Sequence, residues 1–157
     1  MTKVLFVCLG NICRSPTADG IFRQLIAREK LDQRIVVDSA GTGDWHIGKA
    51  PDSRTVAAAR QRGYDLSILR ARQVSARDFD EFDYVLAMDK SNLMDLQRIR
   101  PTSHTGHLGL FLDFGSRSDY REVPDPYYGG NDGFELVLDL VEDAAQGLLH
   151  HIRKNPR

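Results

Sequence analysis

The sequence predicts a single α/β domain over residues 1–157, with a four-stranded, mainly parallel sheet and helices on both faces. The length suits one domain, and the chain contains no repeat, low-complexity tract or linker. Short apolar runs typical of buried strands alternate with segments of helical periodicity, which predicts parallel strands joined by right-handed crossovers. In such sheets, ligands bind at the edge formed by the carboxyl ends of the strands.

The first unit of the chain is predicted to be a strand, a loop and a helix. Residues 4–8 form a continuous apolar run, which indicates a strand buried on both faces. Ser15 and Pro16 then predict a helix start, with Ser15 as the N-cap and Pro16 at the first helical position. The apolar residues that follow recur at helical spacing, at Ala18, Ile21, Phe22 and Leu25.

Three further strands and three further helices complete the predicted order. The strands are expected over residues 35–37, leading into 38–41, over 84–88 and, with a weaker pattern, over 107–112. One helix is expected over 53–62 with Gly63 as its C-terminal cap, and another over 91–100 before Pro101. The last helix begins with Asp132 and Glu135 as a capping pair. Its apolar stripe consists of Phe134, Leu138, Val141, Ala145, Leu148 and Ile152.

Composition restricts the compartment and the class of partner. A net charge of -1 argues against a surface for nucleic acid or anionic membranes, so any attraction for phosphate must be local. The first apolar run is too short for a signal peptide, and no stretch approaches the roughly 18 apolar residues of a membrane span. Two cysteines in one loop form no disulfide framework. We therefore expect a cytoplasmic protein with reactive thiols and no membrane insertion.

The loop after the first strand has the composition of a covalent phosphate-transfer site. It runs from Cys8 to Arg14, and its backbone N–H groups can curl toward one centre together with the start of the next helix. These dipoles and Arg14 favour the thiolate of Cys8, while the planar fork of Arg14 suits phosphoryl oxygens. We expect Ser15 to hydrogen-bond the sulfur, to cap the helix, or to do both. The alternative for Cys8 is a structural thiol at a strand end.

Attack on a phosphate ester also requires a proton for the leaving oxygen. Asp125 is the predicted acid, because it lies between Pro124 and Pro126 in a restricted turn with Tyr127 and Tyr128 alongside. By itself this stretch is more often a plain surface turn, and the sequence does not show that Asp125 lies near Cys8.

Three separated motifs resemble those of low molecular weight protein-tyrosine phosphatases, and together they cover essentially the whole chain. They are the run from Val7 to Pro16, Asp38-Ser39-Ala40-Gly41-Thr42, and Asp125-Pro126-Tyr127-Tyr128-Gly129. The resemblance implies one phosphatase domain in which Cys8 is the nucleophile, Arg14 clamps the phosphate and Asp125 is the general acid and then base. It also implies a phosphocysteine intermediate, acid phosphatase activity, and no metal or cofactor.

The resemblance further implies a substrate-binding set and a substrate class. Trp45 and Tyr127 match the aromatic walls that hold a phenyl ring, and Tyr128 stands beside them; for Trp45 the alternative is core packing. A deep slot favours phosphotyrosine in proteins over phosphoserine. The rest of the set surrounds the phosphate, with Asn11 and Ser39 holding the loop in shape, and consists of Leu9, Gly10, Asn11, Ile12, Cys13, Ser15 and Ser39.

Two positions qualify the resemblance. Cys13 matches a thiol that, in relatives, can form a disulfide with the nucleophile and protect it from irreversible oxidation; the alternative is a small buried residue facing a helix. Leu69 stands where many relatives have His in the pattern H-x-A-R-Q, which predicts the loss of one hydrogen-bonding link that braces Asn11.

Competing functions are weaker on the residues. A protein-arginine phosphatase of the same fold carries Thr at the position of Ile12 and lacks the paired tyrosines, and a thioredoxin-linked arsenate reductase needs resolving cysteines that are absent after Cys13. A phosphopeptide-binding module needs neither a nucleophile nor an acid. The loop lacks the Gly-Lys-Ser/Thr of a nucleotide site, and the histidines form no metal-binding pattern. We expect a monomer or a weak dimer.

Overall fold

A parallel sheet forms the centre of the molecule, in a computed structural model that describes residues 1–126 and 131–156. Its strands are β1 (Thr2–Cys8), β2 (Ile35–Gly41), β3 (Tyr84–Ala87) and β4 (His107–Leu110). They pair in the order β2-β1-β3-β4, and every pairing is parallel. The α/β class and the four-stranded parallel sheet predicted from the sequence are confirmed.

Helices cover both faces of the sheet. The central strand β1 is apolar on both sides, so each of its sides must be buried against helices. The helices are α1 (Arg14–Arg28), α2 (Ser53–Gln61), α3 (Asp78–Glu81), α4 (Lys90–Ile99) and α5 (Asn131–Lys154). Val4 and Phe6 pack with α1 and α5, while Leu5 and Val7 pack with α3 and α4. Within the part of the chain that the structure describes, no helix combines the length and apolarity needed to cross a membrane.

Element boundaries differ from the prediction at several points. Ser15 is not an N-cap: α1 begins at Arg14 with Cys13 before it, because the tight loop enters helical geometry directly. The fourth strand ends at Leu110, where the chain turns into a 3₁₀ helix, Phe111–Phe114. α5 begins at Asn131, which places Asp132 inside its first turn rather than at its cap. The short α3 is not predicted. Gly63 follows α2 with φ 88°, as expected of a C-terminal glycine.

The carboxyl ends of the strands bring distant segments together at one edge. β1 ends at Cys8 beside the end of β2, and the chain continues from β3 to Met88 and Asp89. Val123 joins this edge because its N–H donates to the carbonyl of Met88 at 2.8 Å. The turn containing Asp125 therefore returns to the loop that follows β1.

Candidate active site

The Cys8–Arg14 loop closes around the sulfur of its first residue. Cys8 is the last residue of β1 and Arg14 the first of α1, so the loop is held at both ends by regular structure. Asn11 adopts a left-handed conformation with φ 57°, and its backbone N–H donates to Cys8 Sγ at 3.2 Å. A nest of this kind offers N–H donors to an anion.

Ser15 points its hydroxyl at the same sulfur. Ser15 Oγ and Cys8 Sγ form a hydrogen bond of 3.0 Å in which either atom can donate, and both residues are buried. The hydroxyl also accepts a bond of 2.7 Å from the side-chain amide of Asn11, so its own proton is shared between the sulfur and the more distant carbonyl of Ala40 at 3.4 Å. Of the two roles predicted for Ser15, the structure shows the bond to sulfur and not the cap.

Asn11 is braced although Leu69 stands in place of His. Its amide nitrogen donates to Ser15 Oγ at 2.7 Å and to Ser39 Oγ at 3.1 Å. Its amide oxygen accepts from the backbone N–H of Arg72 at 3.0 Å. Leu69 packs against the core and its apolar side chain cannot supply the link that was predicted to be lost, but backbone and hydroxyl groups still satisfy the buried amide of Asn11.

Arg14 is held beneath the loop by groups that the sequence did not connect to it. Its Nη1 donates to Asp89 Oδ2 at 2.6 Å and to the carbonyl of Val123 at 3.0 Å. Burial alone would lower the pKa of the guanidinium, but Cys8, Asp89 and Asp125 raise this pKa above its ordinary value. Arg14 therefore stays charged and fixed in orientation. The available signal for Asp89 was its place directly after a predicted strand.

Asp125 reaches the same site from a position 117 residues downstream of Cys8. Its Oδ2 lies 3.9 Å from Arg14 Nη2, and its side chain is 35% exposed. It lines the cleft that also contains Cys8, so the turn is more than a surface connection. A carboxyl group here faces both the anion nest and the solvent.

The cleft above the loop has a volume of about 330 Å³. Trp45 is 65% exposed and lines it, which rules out the core-packing alternative for this residue. His46, which sequence reasoning missed, lines it as well: a Cβ on Gly10 would lie 3.0 Å from the His46 ring. The only sequence signal for His46 was its place after Trp45. The rest of the lining consists of Leu9, Gly10, Ile12, Cys13 and Arg14. Tyr127 and Tyr128 lie outside the described residues.

Cys13 lies in a different environment from Cys8. It is buried, and desolvation raises the pKa of its thiol to about 11, with the nearby Thr55 of α2 acting in the opposite direction. Both cysteines are free thiols in the structure. Across the described residues, no cluster of three or more His, Cys, Asp or Glu side chains is arranged to hold a metal ion.

Comparison with known proteins assigns this architecture to a family. A model of the family described as low molecular weight phosphotyrosine protein phosphatase matches residues 3–157. The chain belongs to this family. The low molecular weight protein-tyrosine-phosphatase YfkJ of Bacillus subtilis is 47% identical over 154 residues, which cover 98% of this chain and 97% of YfkJ.

Solved structures of other phosphatases share the whole fold. A protein tyrosine phosphatase from Entamoeba histolytica, with Hepes in its active site, has a TM-score of 0.95 at 39% identity, with complete coverage of both chains (100%). A Drosophila arginine phosphatase has a TM-score of 0.91 at 33% identity and covers 99% of each chain. The resemblance drawn from the three motifs is confirmed, and the chain is an enzyme of the protein-tyrosine phosphatase class.

Proposed function

We propose that this phosphatase hydrolyses phosphotyrosine in proteins, and small aryl phosphates, through a phosphocysteine on Cys8. Arg14 binds the phosphoryl group, and Asp125 acts first as general acid and then as general base. We infer that the enzyme needs no metal or cofactor and works in the cytoplasm as a monomer or weak dimer.

In the first step, the Cys8 thiolate attacks phosphorus and the bond from phosphorus to the tyrosine oxygen breaks. Asp125 gives its proton to that oxygen, so tyrosine leaves as a neutral phenol. Arg14 and the loop N–H groups bind the equatorial oxygens, where negative charge must be stabilised. The product is a phosphocysteine and an ionised Asp125.

In the second step, water attacks the phosphocysteine and Asp125 takes a proton from it. The bond from sulfur to phosphorus breaks, and the electron pair returns to Cys8 as a thiolate. Ser15 and the backbone N–H of Asn11 lie within hydrogen-bond distance of that sulfur and stabilise the leaving thiolate. Inorganic phosphate then leaves and the enzyme is restored.

One observation carries this proposal: a nucleophile, a fixed guanidinium and a carboxyl group line one cleft. Binding alone would not need Cys8 and Asp125 on opposite sides of a phosphate. The aromatic wall at Trp45 suits a flat ring, which favours phosphotyrosine over the shorter phosphoserine.

The test is hydrolysis of phosphotyrosine, phosphoserine and phosphoarginine peptides in the presence of chelator. We expect phosphotyrosine to be preferred, Cys8→Ser to abolish turnover, and Asp125→Asn to lower kcat by about 100-fold because proton transfer is lost. Asp119→Asn is the matched control, since Asp119 is exposed and pairs with Arg117 on the surface; its kcat should equal that of the unmodified enzyme.

Other outcomes would change the proposal. Preference for phosphoarginine would keep the nucleophile and replace the substrate class, as in the Drosophila neighbour. Binding of phosphopeptide without turnover would indicate a recognition module. Loss of activity in chelator, restored by a metal ion, would contradict the metal-independent mechanism.

A further inference from the structure

The segment around Arg72 runs beside the end of β2 and reaches the Cys8–Arg14 loop. The carbonyl of Arg72 accepts from the N–H of Gly41 at 2.8 Å, and Val74 N–H donates to the carbonyl of Gly41 at 2.8 Å. The N–H of Arg72 itself donates to the Asn11 side-chain oxygen at 3.0 Å. The segment thus connects the sheet to the residue that shapes the loop.

The side chain of Arg72 anchors this segment through two carboxylates. Nη1 and Nη2 each donate to one oxygen of Asp78, at 3.1 and 3.0 Å, and Nε donates to Asp38 Oδ2 at 3.0 Å. Asp78 is buried at the start of α3, and Asp38 lies in β2. Burial would lower the pKa of Arg72, but these carboxylates raise it, so the clamp remains charged.

The backbone position of Arg72 matters because Asn11 has little freedom to compensate. Asn11 is 2% exposed, and the N–H of Arg72 is the hydrogen-bond donor to its side-chain oxygen. A displaced donor would leave this oxygen buried without its bond, which costs more than the bond itself is worth. Asn11 would then rotate, and its backbone N–H and side-chain amide would no longer organise the Cys8 sulfur and Ser15.

We propose that Arg72 is a positioning residue of the phosphatase reaction: its ion pairs with Asp38 and Asp78 fix its own N–H against Asn11, and Asn11 in turn orients the donors on the Cys8 sulfur. This rests on the proposed function, in which that sulfur is the nucleophile. The N–H groups elsewhere in the loop and Arg14 bind the phosphate, so Arg72 acts on the chemical step more than on binding.

The test compares Arg72→Met, Arg72→Lys and Arg70→Met. Arg70→Met is the matched control, because Arg70 is exposed, lies two positions away and, among the residues that the structure describes, donates to the local carbonyls of Ser67 and Leu69. For each variant we would measure kcat and KM on an aryl phosphate, the inhibition constant of inorganic phosphate, the rate of Cys8 alkylation by iodoacetate at one fixed pH, and the unfolding midpoint.

We expect Arg72→Met to lower kcat and the alkylation rate by about 10-fold, with KM and the phosphate constant changed less than about twofold. Arg72→Lys should recover part of the loss, since it keeps the charge and loses the fork. Arg70→Met should match the unmodified enzyme. The proposal is overturned if Arg72→Met behaves as Arg70→Met, or if its kcat and KM change together.

A double-mutant comparison separates positioning from general destabilisation. If Arg72 acts through Asn11, Arg72→Met added to Asn11→Ala should cause no further loss of kcat; additive losses would refute this route. Should Arg72→Met fail to fold, Asp38→Asn removes one partner only, and a kcat equal to that of the unmodified enzyme would then count against the clamp. Alkylation and phosphate inhibition need no turnover of phosphotyrosine, so they decide the role of Arg72 even if the substrate proposal fails.

Discussion

The two thiols of the loop differ in the groups that surround them. Cys8 receives the backbone N–H of Asn11 and the hydroxyl of Ser15. Cys13 faces Thr55, and burial raises the pKa of its thiol to about 11. At neutral pH Cys13 is therefore a thiol, a poor nucleophile toward an oxidised Cys8. Its protective disulfide, implied by the resemblance to relatives, stays a prediction.

The raised pKa of Cys13 predicts a stability change at alkaline pH. The unfolded thiol ionises from about pH 8.5, whereas the folded thiol resists ionisation until about pH 11. Its contribution to the free energy of unfolding is therefore complete below about pH 8.5 and is lost as the pH rises toward 11. Urea unfolding at pH 8 and pH 10.5 should show that the unmodified chain loses about 2 kcal/mol more than Cys13→Ser.

The comparison with Cys13→Ser removes the contribution of every other group that titrates in this range. Tyr64, for example, has a pKa raised to about 12 by burial and by its hydrogen bond to Glu142, and it is present in both chains. Equal losses of stability in the two proteins would show that Cys13 ionises normally in the folded state.

At the scale of elements, α5 packs closely against the 3₁₀ helix that follows β4 at a glycine, Gly147. A Cβ on Gly147 would lie 1.7 Å from the carbonyl oxygen of Phe114 at the end of the 3₁₀ helix. Rotating a side chain cannot relieve a clash between a Cβ and the backbone. A residue other than glycine at position 147 would therefore not allow α5 to lie this close to the 3₁₀ helix. The interface matters for the site, because the same segment leads from β4 toward the Asp125 turn.

Gly147→Ala is expected to destabilise the fold by about 2 kcal/mol, because one of the two elements must move away. In an ordinary helix the same change stabilises by about 1 kcal/mol, so the sign itself is informative. Gly133→Ala is the control on the same helix, since its Cβ would meet Pro126 at an ordinary 3.6 Å. Thermal unfolding of both variants tests the prediction; stabilisation of both would show that Phe114 and α5 can separate without cost.

At the scale of the whole molecule, positive and negative charges nearly cancel, whereas the groups around the candidate active site favour an anion. The chain has 21 Lys and Arg against 22 Asp and Glu, a net charge of -1, so no global field attracts an anion. In the function proposed above the attraction is local, and it comes from the loop N–H groups, the start of α1 and Arg14. Phosphate should therefore bind to the folded chain and not to the unfolded chain.

Inorganic phosphate should stabilise the folded chain against unfolding. At a concentration 100 times its Kd the expected gain is about 2.7 kcal/mol, since the unfolded chain has no nest to bind it. Thermal unfolding with increasing phosphate measures this gain. Arg14→Lys should reduce it, because an ammonium group lacks the fork and the fixed bonds to Asp89 and Val123. An equal gain in Arg14→Lys would place phosphate binding elsewhere.

Local patterns in the sequence were sufficient for the order of the four strands and the four longer helices, and for the loop that contains Cys8 and Arg14. Cys8 and Arg14 are joined by five residues, so a strand before them and a helix after them leave few geometries for the loop. Continuous apolar runs likewise predict which segments become strands, because a strand in a sheet covered on both faces must be apolar on both of its sides. The type of chemistry follows from these residues before any long-range contact is known.

Tertiary structure decided which distant groups meet at that centre. Asp89 lies 75 positions from Arg14, and Arg72 lies 61 positions from Asn11, yet both pairs are in hydrogen-bond contact. Strand order and register fix these distances, and local periodicity carries no information about either. Ser15 was predicted to bond the sulfur, to cap α1, or to do both, and only the folded loop shows that its hydroxyl faces the sulfur while Cys13 takes the N-cap position.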